Sequence, residues 1–423
     1  MKKAFGLLAA GLLLLVGLSR PSSILCTWPK PLWLPTRHTL SIPWSRWLPI
    51  EAEASPARAV EIDHHRDQGW TSIRHRVWYL RANHQGVYRL RYRMMGMVPF
   101  GTSWVRADAP LSVVPGGEAI GIMVRTKGLI VRALVSVQDD RGQSVCPAEQ
   151  AGLRVGDLIT AANRRPLLDQ QSLDRAMDRA GRKRQPMDLT VRASGIHHIK
   201  VTPIWSTRDH AYVIGAAVRD GMAGVGTLTY FEPSTGQYGA LGHSMTDGLT
   251  RIPAPVSSGS VSGADIISVI AAGRDKPGQK VGILAAHGLV SGMVWSNGQF
   301  GIHGKLLTWP KVGLRAIPVA YPDQVHPGAA RLITVLHGQK ERSYHIQIIK
   351  AYAQTHPATK GVLFRVTDRQ LLQRTGGIIQ GMSGSPIIED GRLVGAVTHV
   401  MVGKPWIGYG CYAVWMLGLK SGA

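Results

Sequence analysis

The stretch Gly381-Met382-Ser383-Gly384-Ser385-Pro386 decides how the C-terminal half of this chain reads. A serine with glycine two positions before it and one after lets the backbone turn tightly and leaves the hydroxyl exposed. The amides of Gly381 and Ser383 can then converge on one point, as a tetrahedral oxyanion requires. Pro386 fixes the exit from the turn, and Ile387-Ile388 begins an apolar strand. Alone, the same hexapeptide also suits an ordinary loop between two strands, so the serine needs partners.

A base is available upstream. Gly226-Thr227-Leu228-Thr229-Tyr230-Phe231 alternates as a strand, Glu232-Pro233 ends it in a turn, and Gly239-Ala240-Leu241-Gly242-His243 follows. His243 therefore lies just past a hairpin, at a strand end, where a side chain reaches across a cleft. Of the 16 histidines most belong to surface or core, and His64-His65 and His197-His198 sit among polar residues. His243 instead follows a glycine in an apolar strand. The third member of a triad is an acid that fixes the imidazole tautomer. Asp368 ends the strand-like run Phe364-Arg365-Val366-Thr367, and Gly376-Gly377 lead from there into the serine loop. Asp247, close after His243, and Asp265 compete with it, and spacing alone does not choose.

The run Gly376-Gly377-Ile378-Ile379-Gln380-Gly381-Met382-Ser383-Gly384-Ser385-Pro386-Ile387-Ile388 closely resembles the stage IV sporulation protein B peptidases. So do Gly395-Ala396-Val397-Thr398-His399-Val400, Tyr238-Gly239-Ala240-Leu241-Gly242-His243, and Ala358-Thr359-Lys360-Gly361 with Thr367-Asp368 behind it. Gly408-Tyr409-Gly410 and Trp415-Met416-Leu417 fit the same pattern, and the likeness runs from about residue 105 to the end. The resemblance implies Ser383 as nucleophile, His243 as base and Asp368, over Asp247, as the acid. His, Asp, Ser is also the chain order of chymotrypsin-like proteases. The resemblance further implies self-cleavage and a signalling role in endospore formation. The substrate would be a membrane-bound regulator of an intramembrane metalloprotease, cut in the space between forespore and mother-cell membranes so that a sigma factor is processed.

A chain of 423 residues is too long for one core. Lys+Arg of 49 against Asp+Glu of 26 gives a net charge of +23. The basic residues are scattered, with one cluster at Arg179-Ala180-Gly181-Arg182-Lys183-Arg184 that reads as a solvated turn after a helix. No nucleic-acid motif accompanies them, so an anionic membrane surface or cell wall is the expected partner and nucleic acid is not. Three cysteines (Cys26, Cys146, Cys411) make no disulfide framework. Neither His-Glu-x-x-His nor Cys-x-x-Cys occurs, and no metal or cofactor is expected.

Lys2-Lys3 precede the apolar stretch Ala4–Leu18, which has the layout of a secretory signal without a closely following small-x-small cleavage site. Residues 1–25 are therefore read as a signal anchor, with a cleaved signal peptide as the alternative, and everything after it outside the cytoplasm. Residues 26–50 hold Trp28, Trp33, Trp44 and Trp47 among prolines and basic residues, which suits a headgroup region or a Pro-rich linker. Residues 51–108 alternate at period two, as in Gly86-Val87-Tyr88-Arg89-Leu90-Arg91-Tyr92, and suggest a small β-sandwich. Residues 109–205 resemble a PDZ domain through Ala151-Gly152-Leu153-Arg154-Val155-Gly156-Asp157-Leu158-Ile159, with a helix capped by Asp169. Its carboxylate-binding loop is placed at Ala119, Ile120, Gly121 and Ile122, with peptide adding as a strand beside Ile122-Met123-Val124. A PDZ fold kept only as a spacer is the alternative. Residues 207–423 are rich in glycine and β-branched residues and read as a β-barrel serine peptidase domain.

The chain thus reads as a mainly β, membrane-anchored endopeptidase: anchor, sandwich, PDZ module, then a chymotrypsin-like protease domain. An HtrA-type quality-control protease and a catalytically silent PDZ scaffold are the competing readings. HtrA proteins carry the PDZ after the protease, whereas here it precedes.

Overall fold

The computed structural model describes residues 32–43, 50–57, 59–63, 69–73, 77–193, 195–246, 253, 255–273, 276–285, 290–309, 315–354 and 357–418. The expected anchor (1–25) and Asp247 lie outside these residues. No helix among the described residues is long and apolar enough to cross a membrane.

The N-terminal region is a sandwich of two sheets. Five strands run Leu32–Pro35, Val98–Asp108, Gly86–Met94, Ile50–Ser55, Thr71–Ile73 in spatial order, and Thr39–Pro43, Val77–Ala82 and Val60–Ile62 face them. Alternation drives it: Tyr88, Leu90 and Tyr92 are buried while Arg89 and Arg91 point out. Burying each such large apolar side chain contributes about 1.5–3 kcal/mol. The sandwich begins earlier than the sequence suggested. Leu32–Pro35 is not linker but an edge strand pairing in parallel with Leu32 opposite Val105. Its Trp33 packs against Trp415, 5.7 Å between centroids and edge-to-face, so this tryptophan faces protein and not a headgroup layer.

Two barrels follow. In the first, Ala119–Leu134 pairs with Val256–Ile270, and pairing continues through Ser291–Gly298, Gly301–Thr308, Gln237–Leu241 and Ala216–Phe231. The last of these pairs back onto Ala119–Leu134 and closes the ring. Ile120, Ile122, Val124, Leu228, Tyr238, Ala240, Val261 and Ile302 fill it. In the second barrel, Gly328–Val335, Glu341–Ala351, Val362–Val366, Lys404–Tyr412, Arg392–Met401 and Pro386–Glu389 close around Leu332, Ile346, Phe364, Ile387 and Val397.

The PDZ-like region is built into the first barrel rather than placed before it. Ala119–Leu134 and Ala216–Phe231 are both 16 residues long and run out of the barrel together. Beyond a register shift between Arg125 and Ile130, their far halves become strands of the PDZ-like sheet, where Leu129 pairs with Ile159. Gly128 marks the shift with φ of +143°, and a Cβ there would lie 2.6 Å from the Ile159 carbonyl oxygen. The helix Gln170–Arg182 covers this sheet, its N-terminus capped by Asp169 as expected. The boundary drawn at 109–205 is therefore corrected: residues 119–126 are barrel.

Candidate active site

The serine loop hangs between the barrels and is tied down on three sides. Thr227 of the first barrel donates its N–H to the Ser383 carbonyl (3.0 Å) and its Oγ1 to the Gly381 carbonyl (2.9 Å). Two residues on, Thr229 Oγ1 donates to the Gly384 carbonyl at 2.7 Å. The strand Gln279–Leu284 grips the other side, where Lys280 N–H donates to the Gln380 carbonyl at 2.9 Å. Behind, the second barrel holds Gly384 N–H on the Val397 carbonyl at 2.8 Å.

These ties orient the amides. A trans peptide points its N–H opposite its carbonyl. Gln380 O is committed to Lys280 and Met382 O to the Ser385 amide, which turns the N–H groups of Gly381 and Ser383 the other way. Among the described residues neither amide donates to another protein group. Gly381 has φ of +90° and Gly384 φ of +92°, both in the left-handed region that favours glycine. At Gly384 a Cβ would stand 2.1 Å from the Thr227 carbonyl oxygen and 2.4 Å from the Leu241 nitrogen. Only a glycine lets the serine loop touch the strand that carries the histidine.

His243 arrives from that strand. Leu241 (φ +70°) and Gly242 (φ +69°) are both left-handed and turn the chain sharply at the strand end. The result is a contact of 2.8 Å between His243 Nε2 and Ser383 Oγ. His243 Nδ1 lies 2.9 Å from the Ser244 carbonyl oxygen. A carbonyl only accepts, so Nδ1 carries the proton and Nε2 keeps the lone pair that faces the serine hydroxyl. Burial pulls the His243 pKa below its ordinary 6.5, partly opposed by the Ser244 carbonyl. The imidazole is thus neutral at neutral pH, with Nε2 free to accept a proton. His399 stacks obliquely beside it at 5.6 Å, its own pKa lowered by burial, then by His243 and Lys360.

Asp368 is not brought to the imidazole. It caps the helix Arg369–Thr375: Leu371 N–H donates to Oδ1 at 2.9 Å and His345 N–H to Oδ2 at 3.3 Å. Both carboxylate oxygens are occupied by backbone amides, and no hydrogen bond joins the residue to His243. This corrects the acid assigned by resemblance; the tautomer is held by a peptide carbonyl instead.

The carboxylate loop proposed at Ala119, Ile120, Gly121 and Ile122 is corrected as well. These residues form a barrel strand hydrogen-bonded on both edges, Ile120 to Gly226 and to Gly263. Ile120 and Ile122 are buried in the barrel core, and Gly121 faces Leu284. No edge remains there for a peptide strand. Among the described residues of the PDZ-like region, Ala216–Arg219 pairs on one side only, as does Ile196–Val201 at the opposite edge of the sheet, and the helix Gln170–Arg182 lies against the former.

Several residues around the site were given no role by the sequence reading. Thr227, Thr229, Lys280, Thr334 and Ser385 are all buried polar groups. Thr227 and Thr229 had one legible signal, a pair of threonines two apart in an apolar strand. Ser385, beside a buried lysine, invites comparison with a Ser–Lys hydrolase, but it has no exposed surface and no carbonyl can approach it.

The arrangement can abstract a proton from Ser383 as its oxygen adds to an acyl carbon, with two outward amides for the resulting oxyanion. Residues 210–417 match the family model described as SpoIVB peptidase S55, and residues 141–192 one described as PDZ domain. Among solved structures, the Rv3671c protease from M. tuberculosis in its active form is similar at 15% identity and a TM-score of 0.29, covering 48% of this chain and 75% of that one. Its inactive form gives 15% identity, a TM-score of 0.28, and 46% and 81% coverage. Likeness that low adds nothing to the strand pairing described above. No curated protein matches the chain.

Proposed function

The chain belongs to the SpoIVB peptidase S55 family of serine peptidases, with a PDZ domain, and from that premise we propose the roles of its residues. Ser383 is the nucleophile, His243 the general base and acid, and the amides of Gly381 and Ser383 the oxyanion hole. As Oγ adds to the scissile carbonyl, its proton passes to Nε2. The imidazolium then gives that proton to the leaving amine, and a water repeats the sequence to release the acyl group. The Ser244 carbonyl keeps the Nδ1 proton in place throughout. The observation that carries this reading is the 2.8 Å contact of Nε2 with Oγ while Nδ1 faces a carbonyl.

The finer reading is of an exported, membrane-tethered endopeptidase that cleaves itself and a membrane-bound regulator during endospore formation, and so activates an intramembrane metalloprotease that processes a sigma factor. Lys2-Lys3 before the apolar stretch 4–18 supports the tether, and the net charge of +23 supports contact with anionic membrane. The family supports the substrate class. A PDZ-like region threaded between two barrel strands differs from a module appended after a protease, which disfavours the HtrA type. The serine–histidine contact disfavours a silent scaffold.

Labelling with a fluorophosphonate tests the chemistry. Wild-type protein should be modified on Ser383. Ser383→Ala should keep its circular dichroism spectrum yet lose labelling and self-processing, since removing such a nucleophile costs ~10⁴–10⁶ in rate. Undiminished labelling of Ser383→Ala would sink the assignment.

A further inference from the structure

Behind the serine loop lies a buried cluster that the chemistry above does not use. Lys280 Nζ donates to Thr334 Oγ1 at 2.7 Å and reaches Thr227 Oγ1 at 3.5 Å. Ser385 Oγ donates to the same Thr334 oxygen at 3.0 Å. Thr227 has already committed its own proton to the Gly381 carbonyl, so towards Lys280 it can only accept. Four elements meet here: the strands Ala216–Phe231, Gln279–Leu284 and Gly328–Val335, and the serine loop. The lysine stem also lines the loop, since a Cβ on Gly381 would stand 3.1 Å from Lys280 Cβ and Cδ.

We propose that Lys280 is a positioning residue for the oxyanion loop, acting through Thr227 and Thr334 to hold Gly381 and Ser383 with their amides outward. The proposal rests on the acyl-transfer reading of Ser383. A buried amine costs free energy that an apolar side chain would not, so a fold needing only bulk at this point has no use for it. Here the amine spans both barrels, with Thr227 on the first and Thr334 on the second. By donating to Thr227 it polarises the hydroxyl that grips Gly381, and bonds in such chains strengthen one another.

Burial pushes the Lys280 pKa down to about 7, and no charged group opposes this. The acids of the neighbouring elements do not compensate it. Glu118, just before Ala119–Leu134, is itself raised to about 7 by burial and by Glu341, and Asp265 lies on the strand paired with that of Lys280. The ammonium is therefore lost on the alkaline side of neutrality, and with it the strongest form of the Thr227 bond.

The test follows fluorophosphonate labelling of Ser383 against pH in the full-length protein. Wild type should label with an acid limb set by His243 and a decline above about pH 7 as Lys280 loses its proton. Lys280→Met keeps the length of the side chain and removes the amine. It should label ~10–100-fold more slowly, a smaller loss than the ~10²–10³ that follows when an oxyanion donor is removed outright. It should lack the alkaline decline and unfold at the same temperature as wild type or higher. Thr334→Val, which removes the acceptor from the other barrel, should slow labelling in the same direction, and Thr334→Ser should restore it to within about twofold of wild type. A Lys280→Met protein that labels at the wild-type rate with the alkaline limb intact overturns the proposal and leaves the reading of Ser383 standing. Wild-type protein that is folded but unlabelled removes that reading, and this proposal with it.

Discussion

A peptide carbonyl can fix the tautomer of His243, but it brings no formal charge to steady the imidazolium that forms as Ser383 attacks. The geometry therefore describes a dyad among the described residues, with orientation supplied by Ser244 and the neutral form of the imidazole favoured by burial. Asp368 then has a structural task. One carboxylate oxygen accepts the free Leu371 amide of the helix Arg369–Thr375, just ahead of the serine loop, and the other accepts the His345 amide from the strand Glu341–Ala351. Replacing a helix cap of this kind by alanine costs about 0.5–2 kcal/mol, whereas asparagine caps nearly as well. Asp368→Ala should lower the unfolding free energy by that amount, Asp368→Asn should barely change it, and both should label at Ser383 within about tenfold of wild type. An orienting aspartate behaves differently, since its asparagine variant loses ~10⁴ in rate. Folded Asp368→Asn with a loss on that scale would restore Asp368 to the imidazole. The sequence held the clue to the cap as plainly as to the acid. An aspartate that ends an alternating strand and is followed three residues on by Leu371 suits a helix start, and a resemblance between motifs does not distinguish the two.

Two loops form the site, and their fit depends on Gly384 more than on any residue with a side chain. Its φ of +92° and its approach to Thr227 and Leu241 leave no room for a methyl group, and both neighbours are backbone atoms that cannot swing aside. Gly384→Ala should therefore part the serine loop from the histidine strand. Overpacking of this kind costs about 1–3 kcal/mol. The denaturant midpoint should fall with an unchanged slope, and labelling should drop by far more than the stability loss explains. Wild-type labelling in Gly384→Ala would mean that the loops accommodate a side chain and the contact is incidental. The glycines were legible because their pattern is local. So was the period-two alternation of Gly86–Met94. The course of Ala119–Leu134 was not, because one unbroken strand serves two units and only the shift at Gly128 divides them. Ile120-Gly121-Ile122 reads equally well as the edge of a peptide groove or as a barrel stave, and the choice is made by strands about 100 and 140 residues further along the chain, Gly226 and Gly263.

At the scale of the molecule, the short strand Leu32–Pro35 joins the sandwich to the protease. Side chains on a strand alternate, so Leu32 and Leu34 enter the sandwich core while Trp33, between them, enters the core of the second barrel. There it meets Trp415 edge-to-face, an arrangement that adds about 0.5–1.5 kcal/mol to what burial alone gives. Composition suggested a tryptophan at a membrane headgroup, because a Trp-rich stretch among prolines and arginines carries no record of its distant partner at the other end of the chain. The location of the partner makes the prediction. Trp33→Ala should leave a cavity at the base of the second barrel and cost about 3–5 kcal/mol, as large aromatic truncations in cores do. For a unit of this size that is a fall of roughly 10 °C in Tm, read by calorimetry as a shift of the protease transition. Below that transition the serine loop is untouched, so labelling of Ser383 at low temperature should match wild type. Trp33→Phe should recover part of the loss by keeping an aromatic edge against Trp415. A Trp33→Ala protein that melts with the wild type would show that Leu32–Pro35 lies against the barrel without stabilising it, and that the sandwich and the protease are energetically separate.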